Sequence, residues 1–126
     1  MGAYVQQSIS RITISMSGIW AEPHPVEIIV CLNNDMVLLT LPETIFTQTT
    51  SAKIQGTLPG NLFPIKDIKH FGLGVNGTDS SLTFSISALN GNIVIGYSDQ
   101  NDDFDGSGQG GFYAQAISYQ IKEITS

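Results

Sequence analysis

Four aspartates crowd into the ten residues from Asp99 to Gly108, DQNDDFDGSG, with no base among them, and no other stretch is so dense in groups that could do chemistry. Counted from Asn101, the residues Asn101, Asp103, Asp105 and Gly106 fall where an EF-hand-like loop alternates its oxygen ligands and then turns on a glycine. Phe112 stands where that loop needs its bidentate Glu, so no metal is assigned, and a calcium loop on Asn101, Asp103 and Asp105 is kept as the alternative. Carboxylates and amides also suit a sugar, whose hydroxyls donate to such acceptors, and this gives Asp99, Asn101, Asp102, Asp103 and Asp105 as candidate ligand-binding residues. Trp20, beside the loop AEPHP, is added as a stacking platform; its other reading is a core aromatic with its indole N–H bonded at the rim. For catalysis the sequence offers His24, His70 and Cys31, and none of G-x-S-x-G, H-E-x-x-H or C-x-x-C. No catalytic residue and no cofactor is assigned, although a Ser-His-Asp site built from distant loops leaves no local motif and keeps a small hydrolase as a remote alternative.

Those groups must be held by a scaffold that composition already narrows. A chain of 126 residues with 41% hydrophobic content supports one core, and no apolar run approaches the ~18 residues of a membrane span. Only 13% of residues are charged, about half the usual share, while Ser, Thr, Asn and Gln number 38, so polarity comes from neutral groups. Eleven acids against five scattered bases, Arg11, Lys53, Lys66, Lys69 and Lys122, give a net charge of −6 and argue against nucleic acid and anionic lipid as partners. Cys31 stands alone, which excludes an intrachain disulfide, and the segment MGAYVQQSIS has neither the basic nor the apolar region of a secretory signal.

The scaffold reads as sheet throughout. In Ser81–Asp99, Leu82, Phe84, Ile86 and Ala88 alternate with Thr83, Ser85 and Ser87, then Asn90-Gly91 turns the chain and Ile93, Ile95 and Tyr97 alternate again. Asn-Gly predicts a type I′ hairpin turn. A strand follows from Ile9, the two prolines of AEPHP predict a loop over 21–25, and Glu27–Leu41 predicts a second hairpin turning at Asn33-Asn34-Asp35. Its arms, IIVCL and MVLLTL, are apolar on both faces, which points to cover by a neighbouring subunit. Residues 43–52 are expected to hold a short strand followed by a loop, and Gly56–Pro64 reads as loop. Further strands are expected in IKDIKHFGLGV and in GFYAQAISYQI, with Asn76-Gly77 as a tight turn; its formal glycosylation triplet with Thr78 is read as that turn. The sum is an all-β antiparallel sandwich of about eight strands over residues 9–126, preceded by a tail or stalk remnant over 1–8.

The order of three features, Gly56, Leu58, Pro59 and Pro64, then the alternating SLTFSIS hairpin, then the glycine-rich run from Phe104 that ends on Ile117-Ser118-Tyr119, resembles the C-terminal head domains of bacteriophage and large-virus fibre proteins. The resemblance covers roughly residues 36–121 and implies a jelly roll broadly like the tumour-necrosis-factor group. It also implies a homotrimer at the virion surface, at a fibre or tail tip, that attaches to a cell-surface receptor or glycan. A structural trimerisation or capsid-decoration domain without a host ligand is the alternative.

Overall fold

The computed structural model describes residues 7–121, and every regular element in that span except one short 3-10 turn, Gly60–Leu62, is a β-strand. In chain order these are β1 (Gln7–Met16), β2 (His24–Asn33), β3 (Met36–Leu41), β4 (Thr44–Thr47), β5 (Ile54–Thr57), β6 (Ile68–Asn76), β7 (Thr78–Ile86), β8 (Asn92–Tyr97), β9 (Gln109–Phe112) and β10 (Gln115–Gln120). Sheet A has the order β1-β2-β3-β10 and sheet B the order β4-β9-β6-β7-β8-β5. Among the described residues no helix is long and apolar enough to cross a membrane.

The pairing is nested: β3 with β10, β4 with β9, β5 with β8 and β6 with β7, all antiparallel. One long hairpin rolled onto itself produces this pattern, which is the winding of a jelly roll. The hairpin β1–β2 is added to it beside β3. Ten strands stand where the sequence suggests about eight, because Ile54–Thr57 forms β5 on the edge of sheet B and GFYAQAISYQI divides into β9 and β10. The core lies between the sheets, with Ile28, Leu39, Leu41 and Met16 from sheet A meeting Phe84, Phe112, Leu82 and Ile95 from sheet B, all fully buried. Phe84 and Phe112 meet edge to face at 5.9 Å, the geometry their ring quadrupoles favour.

Three local expectations are corrected. The β7–β8 connection is not a two-residue type I′ turn, because Gly91 is at φ 69° but Asn90 is not left-handed. Instead residues 87–91 form a longer loop, in which the Gly91 N–H donates to Ser87 O at 2.9 Å and the Asn92 N–H to the Asn90 side chain at 3.0 Å. Next, the 21–25 segment is loop only as far as Pro23. His24 and Pro25 already pair with Met16 and Ser15, and proline is tolerated there because β3 reaches no further along β2 than Ile29. Finally, GFYAQAISYQI is two strands, since β9 ends at Phe112 in sheet B and β10 starts at Gln115 in sheet A. The two-faced arms of the second hairpin do hold: Val37, Leu39 and Leu41 point inward, while Met36 and Leu38 remain exposed.

Candidate functional site

The acidic stretch is the connection between β8 and β9, and it folds back over the outer face of sheet B. Ser98, at φ 66°, makes the bend; its N–H donates to Ser81 O and its carbonyl accepts from Thr83 Oγ1, both at 2.7 Å. Thr83 lies between the inward-facing Leu82 and Phe84, yet it is also fully buried, because this loop covers it. Asn101 packs onto Gly96, where a Cβ would come 2.1 Å from Asn101 Oδ1. Tyr97 and Asp102 exchange backbone hydrogen bonds at 2.7 Å, and Phe104 turns inward to full burial.

What fixes the second half of the loop is a buried pair of amides. Gln48 and Asn76 are 4% and 7% exposed, and Gln48 Nε2 donates to Asn76 Oδ1 at 3.0 Å. Gln48 Oε1 accepts the Gly106 N–H at 2.8 Å, and Asn76 Oδ1 accepts the Asp105 N–H at 3.0 Å. Three loops are thereby locked at one end of the sandwich: β4–β5, β6–β7 and β8–β9. A glycan on Asn76 would destroy this arrangement, in keeping with its reading as part of a turn.

The six candidate ligand residues are not brought to one point. Asp99, Asp102, Asp103 and Asp105 are exposed, but Asp102 accepts from Ser98 Oγ at 3.0 Å and Asp103 pairs with Lys53 Nζ at 2.9 Å. The Asn101 amide oxygen is buried without a partner under the loop itself. Trp20 is 6% exposed, and its indole N–H donates to Gly110 O at 3.1 Å. The aromatic that reaches solvent beside it is Phe46, 42% exposed, with His24 stacked on it at 3.8 Å. Among the described residues no group of three or more His, Cys, Asp or Glu side chains is placed to hold a metal. His70 meets Gln115 Oε1 at 3.3 Å and Phe84 edge-on.

Of the clefts on sheet B, two lie beyond the loop, and a third lies apart from them beside Lys69, Ser85 and Val94. The first, about 470 Å³, is polar, and Asp79, Ser80, Ser81, Tyr97, Ser98 and Asp99 line it, so Asp99 alone of the sequence candidates opens into it. The second, about 360 Å³, is largely apolar and is built from Phe71, Leu73, Tyr113 and the neighbouring His70 and Gln115. They adjoin, because Leu73 and Ser81 are cross-strand partners and the Tyr113 hydroxyl donates to Asp79. That hydrogen bond raises the Tyr113 pKa above the ordinary 10.0, and the charges of Asp79 and Glu43 add to the shift. The signal for this surface was present in HFGLGV. A half-buried strand turns its large residues inward, yet here Gly72 and Gly74 take the positions against Phe84 and Leu82, and Phe71 and Leu73 are left outside.

No family profile matches the chain. Among proteins of known identity, it is 34% identical over 117 residues to structural protein V8 of the Sputnik virophage, an alignment that covers 86% of this chain. The chain spans 63% of that relative's length. Among solved structures, the fold resembles a reovirus attachment protein, sigma1, crystallised in complex with alpha-2,3-sialyllactose, with a TM-score of 0.55 over 93% of this chain and 66% of the other at 10% identity. At that identity the likeness is one of fold.

Proposed function

We propose that this chain is the head of a virion structural protein, non-enzymatic and homotrimeric, which attaches the particle to a cell-surface receptor glycan. The observation that carries the viral part is the 34% identity to a virophage structural protein along most of the chain. The attachment part is supported by a jelly-roll fold shared with a reovirus attachment protein that was crystallised with a sialylated sugar. Trimerisation is supported by the outer face of sheet A, where Ile9, Ile29, Met36 and Leu38 are 70%, 38%, 46% and 40% exposed on adjoining strands, with the Arg11–Glu27 ion pair at one end of the patch. Three copies on one rigid head also allow weak sugar contacts to act together.

Light scattering of the purified chain tests the assembly, with three times the 13.5 kDa chain mass expected. A glycan array tests attachment, with saturable binding expected. A second reading, a structural or capsid-decoration domain with no host ligand, is favoured by the name of the relative, and it expects a trimer that binds nothing on the array.

A further inference from the structure

Phe71 and Leu73 are each 60% exposed on the outer face of sheet B, far from the apolar face of sheet A, so packing leaves them without a partner. Tyr113 stands beside them, and the chain makes it part of the same ledge: its N–H donates to Leu73 O at 3.1 Å, and Gln115 Nε2 donates to the same carbonyl at 2.9 Å. Next to this ledge are the polar cleft and its two carboxylates, Asp79 and Asp99.

We infer that an uncharged oligosaccharide binds across this face, one ring lying on Phe71, Leu73 and Tyr113 and its hydroxyls donating to Asp79, Ser81 and Asp99. The inference rests on the glycan reading above and deepens it by naming the place and the sugar class. A pyranose offers one face of C–H groups and a rim of hydroxyls, so it needs an apolar or aromatic surface beside acceptors. An ionised carboxylate only accepts, and vicinal hydroxyls supply the donors it lacks. The class follows from charge: no Lys or Arg lines either cleft, and Lys69, two residues along β6 from Phe71, opens into a separate cleft with Ser85 and Val94, while Asp79, Asp99 and the nearby Glu43 are negative. A sialylated or sulfated sugar would bring an anion beside Asp79 and Asp99, whose repulsion the single Lys69 at the far side of Phe71 does not offset, whereas Arg or Lys within the cleft would favour such a sugar. The β8–β9 loop contributes Asp99, and its remaining acids serve the loop itself.

The test uses the full chain on an array carrying uncharged and sialylated glycans. Titration calorimetry on the strongest uncharged ligand follows, with Phe71→Ala, Asp79→Asn, Asp103→Asn and, as a distant control, Leu89→Ser. The altered side chains are exposed, and unchanged melting temperatures confirm that each variant folds. Uncharged glycans are expected to bind, with Phe71→Ala and Asp79→Asn weakening affinity about tenfold or more while Asp103→Asn and Leu89→Ser stay within about twofold. Exclusive binding of sialylated glycans overturns the inference and leaves attachment standing. So does a loss on Asp103→Asn without one on Asp79→Asn, or a Phe71→Ala variant that changes the oligomeric mass, which would make the ledge a subunit contact. An array with no saturable ligand removes both this site and the attachment reading.

Discussion

At Gly91 the backbone is left-handed at φ 69°, and a Cβ there would come 2.3 Å from the Phe63 ring. Gly91→Ala therefore adds backbone strain to a steric collision, and it should cost about 1–3 kcal/mol, read as a lower urea midpoint at unchanged slope. An unchanged midpoint would show that the loop relaxes freely. Tyr119 presents a different constraint. It is 3% exposed, its hydroxyl donates to Leu62 O at 2.8 Å, and burial raises its pKa well above 10.0. Because the folded chain holds this proton more tightly than the unfolded one, the contribution is complete below pH about 10 and declines as pH rises beyond it. Tyr119→Phe should lower stability by about 1 kcal/mol at pH 8, through the lost bond to Leu62, and should also flatten the alkaline fall between pH 10 and 11. Equal slopes for the two proteins over that range would assign the fall to other groups. Sequence made the need for glycine at 91 readable, since Asn-Gly marks a turn, but the neighbour that enforces it is Phe63, 28 positions earlier.

The strands were legible for a local reason and the loops were not, for a non-local one. Leu82, Phe84 and Ile86, or Ile93 and Ile95, alternate within a few residues of one another, and all are buried; Thr83 breaks the pattern only because the β8–β9 loop covers it. The conformation of the β8–β9 loop depends instead on Gln48, whose partners Asn76 and Gly106 lie 28 and 58 residues away, and nothing in DQNDDFDGSG announces them. The aspartates attract notice for their charge, yet Asp103 and Lys53 form a pair whose side chains are 55% and 31% exposed, which solvent screens. Asp103→Asn should therefore change stability by less than about 1 kcal/mol. Gln48→Ala leaves the Gly106 N–H without its acceptor and removes the donor that Asn76 Oδ1 shares with Ser107 O and Gln109 O, and should cost about 2–3 kcal/mol, with faster hydrogen exchange at Asp105 and Gly106. Should Asp103→Asn prove the more damaging, the charge pair and not the amide pair would be what orders this end of the sandwich. Addition of calcium is expected to shift the melting temperature little, and a rise above about 5 °C at 1 mM would mean that the loop binds the ion after all.

For the whole molecule the decisive question is what covers sheet A. The register puts Ile9 opposite Cys31 and Cys31 opposite Leu38, so a row of three strands presents these side chains outward together, with Met36 and Ile29 in the flanking rows. On that face the exposed Arg11–Glu27 pair, with Thr13 and Thr40, lies toward the other end of these strands, and burying the apolar row against further copies would contribute roughly 25 cal/mol for each Å² of apolar surface removed. The alternation along β3 supplies a paired test. Leu38 is 40% exposed and Leu39 fully buried, though adjacent in sequence. Leu38→Asp should leave the circular dichroism spectrum and monomer fold intact while reducing the scattering mass from about three chains to one, because it places a charge in the contact and nothing in the core. Leu39→Asp should unfold the chain outright, since its carboxylate would lie unpaired between the sheets. A Leu38→Asp protein that keeps the wild-type mass would move the contact away from sheet A, and a wild-type chain that is monomeric at micromolar concentration would remove the trimer and the multivalent attachment that depends on it.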